Sequence, residues 1–171
     1  MILILMGVSG IGKTTIGELL SQRTGWAFID GDDFHSEVNR RKMVAGIPLS
    51  DADRAPWLSA LHERIARYIQ QNRSAILACS ALKRQYRERL TEGFAENDFR
   101  FVYLHAPADL VRERISLRDH AYMNPDLLES QIATLEEPSI AWPVSVAGSL
   151  RQSVDEILAK LREAGQPEQF H

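Results

Sequence analysis

The chain has 171 residues, 44% hydrophobic and 25% charged, with 20 Lys and Arg against 23 Asp and Glu for a net charge of −3. That is enough apolar material for one sizeable core, and the length favours a single domain spanning residues 1–171. The slight acidity argues against a nucleic-acid partner, which calls for a dominant basic field, and a single cysteine, Cys79, excludes an intramolecular disulfide and agrees with a reducing compartment.

Met1 to Met6 reads M-I-L-I-L-M, an unbroken apolar run suited to a strand buried on both faces of a parallel sheet. It is too short for a signal peptide and has no basic segment before it. No later run approaches the ~20 apolar residues that span a bilayer, so the expected location is the cytoplasm, with no membrane partner. Directly after it stands Gly7-Val8-Ser9-Gly10-Ile11-Gly12-Lys13-Thr14, which matches G-x-x-x-x-G-K-[ST], the phosphate-cradling P-loop. Its glycines let consecutive backbone N–H groups point inward as an anion nest, continued by the N-terminus of the next helix. This run and Thr15 form the candidate nucleotide-binding set. Lys13 is expected to reach the β- and γ-phosphates of a nucleoside triphosphate, and Thr14 to hold Mg²⁺ through its hydroxyl. Ile16, Leu19 and Leu20 then recur at helical spacing, and Gly25 can close that helix.

Ala27 to Asp30 predicts a second strand, followed by Asp30-Gly31-Asp32-Asp33-Phe34-His35. Trp57, Leu58, Leu61, Ile65 and Ile69 form the stripe of a long helix, with Asp53 as its expected cap and Pro56 in its first turn. Ala75 to Cys79 predicts a third strand, Phe101 to Leu104 a fourth and Val144 to Ala147 a fifth. Pro107 can open a helix carrying Leu110, Val111 and Ile115, and Ser149 with Gln152 has capping-box spacing before the last helix. Gln166 to His171 reads as a frayed tail. Strands alternating with helices imply an α/β fold with a parallel sheet covered on both faces, whose ligands gather at the carboxyl ends of the strands.

The third strand ends in Cys79-Ser80 without an acid, whereas the second ends in Asp30-x-Asp32. Alternate residues of an extended segment share a face, so both carboxylates are expected to point into one crevice. Asp30 is assigned to the metal, and Asp32 to an acceptor hydroxyl as general base or orienting acceptor. Cys79 reads as a buried strand-end residue. Basic clusters at Arg40-Arg41-Lys42, at Lys83-Arg84 with Arg87 and Arg89, and at Arg112, Arg114 and Arg118 suit either a polyanionic small molecule or a solvated helix face. No N-K-x-D run of a guanine-specific GTPase is present, which favours a small-molecule phosphotransferase.

The segments D-G-D-D-F-H (30–35), N-R-R-K-M-V-A-G-I-P-L-S-D-A-D-R-A-P-W-L (39–58), C-S-A-L-K-R-Q-Y-R (79–87) and L-L-E-S-Q-I-A-T-L-E-E-P (127–138) resemble those of the gluconokinase family. The resemblance runs in order from the P-loop to about Pro138. It implies a P-loop kinase three-layer sandwich with a five-stranded parallel sheet, similar to nucleoside monophosphate and shikimate kinases, and a homodimer. It also implies transfer of the γ-phosphate of ATP, with Mg²⁺, to the 6-hydroxyl of D-gluconate. By position the acceptor site would include Asp32, His35, Lys42, Arg54, Ser80 and Lys83. Arg54 and Lys83 are the candidates for the sugar-acid carboxylate.

Residues 118–126 are the expected lid, with Arg118 on the ATP phosphates, where it would stabilise charge in transfer. The family often has Gly-His-Phe-Met in that lid; here the run is His120-Ala121-Tyr122-Met123, with the histidine displaced by one residue. An adenine pocket is expected around Trp142 to Gly148. Two other readings stay open: a kinase of another polyhydroxy acid such as a different aldonate or shikimate, and an ATP-sensing regulatory module.

Overall fold

The computed structural model describes residues 1–116 and 125–165, without the side chains of residues 125 and 126. The expected lid residues Arg118 to Pro125, with Arg118 and His120, lie wholly or mainly outside the described residues, as does the expected frayed tail. In chain order the elements are β1 (Ile2–Met6), α1 (Lys13–Thr24), β2 (Ala27–Asp30), α2 (Glu37–Val44), α3 (Asp51–Gln70), β3 (Ala75–Ala78), α4 (Arg84–Thr91), β4 (Phe99–His105), α5 (Ala108–Ser116), α6 (Pro125–Thr134), β5 (Trp142–Ser145) and α7 (Leu150–Glu163).

The five strands form one sheet in the order β2-β3-β1-β4-β5, parallel at every pairing. β1 is central and buried at every residue. Its side chains alternate between two cores. Leu3 and Leu5 pack with Ile16 and Leu20 of α1, Val111 and Ile115 of α5, and Ile157 and Leu158 of α7. Ile2, Ile4 and Met6 pack with Trp57, Leu61 and Ile65 of α3 and Tyr86 and Leu90 of α4. Helices therefore cover both faces, which is the three-layer α/β sandwich, and the apolar period of α3 is the stripe visible in the sequence. Among the described residues no helix is long and apolar enough to cross a membrane.

Several boundaries differ from expectation for local reasons. The cap of α3 is Ser50, three residues before the expected Asp53, because Ser50 and Asp53 divide the capping work. The Ser50 hydroxyl accepts the Asp53 N–H at 3.1 Å, and the Asp53 carboxylate accepts the Ser50 N–H at 2.9 Å. Pro56 thus lies in the second turn, inside the helix. β4 begins at Phe99, and β5 runs from Trp142 to Ser145, earlier than the expected Val144 to Ala147. It includes Pro143, which is tolerated because β5 pairs with β4 alone among the described strands, and an edge strand can lack an N–H.

Gly31 lies where β2 gives way to a 3₁₀ turn over Gly31–Phe34. A Cβ on Gly31 would stand 2.5 Å from the carbonyl oxygen of Ala78 on β3, and backbone cannot swing aside as a side chain can. Gly31→Ala should therefore lower unfolding stability by about 1–3 kcal/mol, read as a lower urea midpoint at unchanged m-value.

Candidate active site

The carboxyl ends of β1, β2 and β3 bring the P-loop, the Asp30–His35 turn and the Ser80–Lys83 loop to one edge of the sheet. At that edge Gly10, Gly12, Lys13, Thr14, Asp30 and Asp32 share a cavity of about 100 Å³, with Ser9, Thr15 and Ala78 also on its wall. Val8 and Ile11 have buried side chains, so they can offer a ligand only their backbone. Gly10 adopts φ 79°, and a Cβ there would meet Ile115 of α5 at 2.5 Å; the loop closes down on the helix because that position is glycine.

The Lys13 ammonium donates to the carbonyls of Gly7 at 2.9 Å and Val8 at 3.0 Å, which curls the side chain over its own loop. The Gly7 N–H donates to the Ser80 carbonyl at 3.3 Å, tying the P-loop to the end of β3. The first turn of α1 opens onto the cavity with N–H groups that have no acceptor within the helix. This is a phosphate-sized nest of positive partial charge.

Asp30 is held through both oxygens: Oδ1 accepts the Asp32 N–H at 3.0 Å and Oδ2 accepts the Thr14 hydroxyl at 2.9 Å. Thr14 and Asp30, the two residues assigned to a metal, are thus in direct contact. A hydroxyl and a carboxylate are the hard oxygen donors Mg²⁺ takes in ones and twos while keeping waters and phosphate oxygens for the rest. Among the described residues there is no cluster of three or more His, Cys, Asp or Glu side chains suited to a metal.

Asp32 reaches the crevice by a different route from the pleat expected. The chain turns into 3₁₀ geometry at Gly31, so Asp30 and Asp32 share a cavity because the turn caps itself on Asp30. Desolvation by the crevice walls raises the Asp32 pKa, Asp30 and Asp33 push it the same way, and Lys13 opposes them. The result is a carboxylate more basic than usual beside the phosphate nest.

His35 is buried and stacked on Trp57, with ring centroids 4.4 Å apart and 13° between planes. Its Nε2 lies 4.0 Å from Asp32 Oδ1, and its Nδ1 has no hydrogen-bond partner among the described residues. Burial, with the Arg54 and Arg40 charges, lowers its pKa to about 4, so the ring is neutral at neutral pH. Trp57 donates its indole N–H to the Gly31 carbonyl at 2.7 Å, so one residue of α3 fixes both the turn and the imidazole.

The three candidate cations already have partners. Lys42 donates to Asp53 at 2.7 Å, and Lys83 donates to both oxygens of Asp51 at 2.8 and 3.0 Å. Arg54 donates to the Leu49 carbonyl, and its guanidinium carbon lies 5.6 Å from the centre of the Tyr86 ring, with Lys83 Nζ at 5.5 Å. Arg54 and Lys83 therefore converge on one aromatic ring, while Lys42 is drawn toward Asp53. Sequence reasoning missed Asp51 and Tyr86, which are hydrogen-bonded to each other across 35 positions of chain. Only their presence in the quoted family segments pointed to them.

The basic clusters are largely structural. Arg87 is buried and donates to the carbonyls of Ala81 and Leu82, Arg40 donates to those of His35 and Asp33, Arg114 to that of Val146, and Arg112 pairs with Asp109 and Glu129. Cys79 is buried, and burial pushes its thiol up to about 12.

The AAA domain family matches residues 2–138. A probable gluconokinase of Mus musculus is 41% identical over 95% of this chain and 96% of its own length. A gluconokinase structure from Sinorhizobium meliloti is 41% identical and superposes with a TM-score of 0.84 over 94% of this chain and 91% of that one. Shikimate kinase from Aquifex aeolicus, 20% identical, shares the fold with a TM-score of 0.62 over 96% of this chain and 98% of its own.

His35 sets a pH dependence whose sign follows from its depressed pKa. Between its ordinary value of 6.5 and about 4, the unfolded chain takes up a proton that the folded chain refuses, so stability is full above 6.5 and falls as pH drops toward 4. His35→Asn removes that term: across the same acid window the wild type should lose about 2–3 kcal/mol more than the variant in urea titrations.

Proposed function

The chain belongs to the gluconokinase family of P-loop kinases, and from that premise we propose that it transfers the γ-phosphate of ATP to the 6-hydroxyl of D-gluconate, giving 6-phosphogluconate and ADP. The observation that supports this reading best is the pairing of the P-loop cavity with Asp32, a carboxylate of raised pKa lining that cavity.

In this reading Lys13 leaves the Gly7 and Val8 carbonyls for the β- and γ-phosphates when ATP enters, while the α1 N-terminus and the loop N–H groups receive the remaining phosphate charge. Mg²⁺, held by Thr14 with Asp30, supplies charge neutralisation on the phosphates when bound. Asp32 accepts the hydrogen bond of the sugar hydroxyl and takes its proton as the oxygen bonds to the γ-phosphorus and the bond to the bridging oxygen of ADP breaks. Neutral His35 offers ring nitrogens to the sugar hydroxyls, and Ser80 adds a further polar group. Arg54 and Lys83 receive the carboxylate, with Lys42 at the margin. Asp51 and Tyr86 hold these cations ready without neutralising both. The family resemblance contributes Arg118 on the transferring phosphate, in a lid over residues 118–126, and a homodimer, while chain length supports one domain over residues 1–171 and the single cysteine agrees with a reducing, cytoplasmic location.

Lys13→Ala and Asp32→Asn should each lower turnover by about a hundredfold or more, with Asp32→Asn still binding ATP. Near-normal kcat in Asp32→Asn would remove it from the chemistry. Arg54→Ala should raise KM for the sugar acid about tenfold with KM for ATP little changed, since a charged hydrogen bond is lost on one substrate only. The deciding assay is ADP release with Mg-ATP and a panel of D-gluconate, L-idonate, other aldonates, shikimate, adenylylsulfate and AMP. Preference for another aldonate would move the substrate assignment within the same chemistry. ATP binding without turnover on any acceptor would favour a regulatory role.

A further inference from the structure

The family-like segment 127–138 has no part in the mechanism above, yet it touches both substrate sides of the site. Gln131 on α6 grips Ser9 of the P-loop with both ends of its amide: Oε1 accepts the Ser9 N–H at 2.7 Å, and Nε2 donates to the Ser9 hydroxyl at 2.8 Å. Just past the end of α6, Glu136 grips the loop after β3. Its N–H donates to the Leu82 carbonyl at 2.9 Å, and its carboxylate accepts the Arg84 N–H at 2.7 Å.

Leu128, one turn before Gln131, is buried in the core with Val111 and Ile115, and Leu135, between the two grips, packs against both cores. The Arg112–Glu129 pair, at 2.7 Å, holds α6 to α5.

We propose that Gln131 and Glu136 are positioning residues for phosphoryl transfer, the two ends of one brace that sets the P-loop in register with the Ser80–Lys83 loop. Among the described residues a backbone hydrogen bond of 3.3 Å, from the Gly7 N–H to the Ser80 carbonyl, also joins these two loops on neighbouring strands. In-line transfer is sensitive to misplacement of about 1 Å, and pre-organised loops lose less entropy when a ligand orders them. Gln131 acts on the nucleotide side, because Ser9 lines the P-loop cavity. Glu136 acts on the acceptor side, through the loop that carries Ser80 and Lys83. This assignment rests on the phosphotransfer reading above.

The test is a split between substrates, using the full chain. Gln131→Ala should weaken ADP binding, measured by calorimetry without acceptor, about five- to twentyfold for two lost hydrogen bonds, and raise KM for ATP with KM for the sugar acid within about twofold. Glu136→Ala should show the reverse pattern. Gln131→Glu can still accept from both Ser9 groups once the hydroxyl turns to donate. It should therefore keep the wild-type Tm while binding ADP more weakly, with the deficit shrinking as salt is raised, because a negative charge now stands beside the phosphate site.

Wild-type nucleotide and acceptor affinities for Gln131→Ala and Glu136→Ala, whatever their Tm, would overturn the proposal and leave the brace as packing alone. So would equal effects of each variant on both substrates. Should the wild type turn over no acceptor, the phosphotransfer reading fails, but the ADP titrations of Gln131→Ala and Gln131→Glu still decide the nucleotide end by themselves.

Discussion

The burial of β1 on both faces, with a parallel neighbour on each side, is the constraint from which the site follows. A strand in that position cannot be left by a hairpin, so the chain must cross over through helices and return every strand in the same direction. All carboxyl ends then lie on one edge, and residues separated by 25 or 70 positions meet there. The register makes the meeting close: Leu5 sits opposite Ala78, and Ala78 opposite Asp30. The P-loop, the Asp30 turn and the Ser80 loop therefore start from one level of the sheet. Gly31 then lets the Asp30 turn lean onto β3 without a side chain in between.

Around this edge the protein stores charge in compensated form. Asp51 and Asp53 both sit at about 2, held down chiefly by hydrogen bonds from Lys83 and Lys42, so the start of α3 presents ion pairs rather than bare cations. In the proposed reading a carboxylate bound there would compete with these acids, which would favour ligands whose hydroxyls add hydrogen bonds of their own. Asp32 and His35 sit at the other extreme. Desolvation raises the first and burial lowers the second, and both shifts favour the neutral form. The two environments lie on adjoining turns, and Trp57 connects them by stacking on His35 and bonding the Gly31 carbonyl.

Much of this could be read from the chain, because local rules governed it. The apolar run of β1, the glycine spacing of the P-loop, the α3 stripe and the Ser149–Gln152 box each depend on residues a few positions apart. α2 and α4 escaped detection because each has eight residues and buries too few apolar side chains to show a period. The α3 boundary slipped because Ser50 and Asp53 are both good caps, and only the folded backbone decides which one leads. The Ser9–Gln131 pair spans 122 residues, and nothing in the composition of either neighbourhood signals it. The family segments flagged Gln131 and Tyr86 as members of a pattern, without saying what either touches.

The single thiol of the chain, Cys79, lies buried just past the end of β3, and burial pushes its pKa well above neutral pH, which disfavours the thiolate. Thiol reagents and mild oxidants attack the thiolate, so the protein is a blank background for sulfur chemistry. A cysteine introduced at an exposed position would react alone, and a fluorophore attached there would report on one chosen point without first stripping out native thiols. The same concealment means that the catalytic edge needs no reductant to stay intact. The Lys13, Asp30, Asp32 and His35 side chains at that edge carry oxygens and nitrogens, and the chain's one thiol is buried.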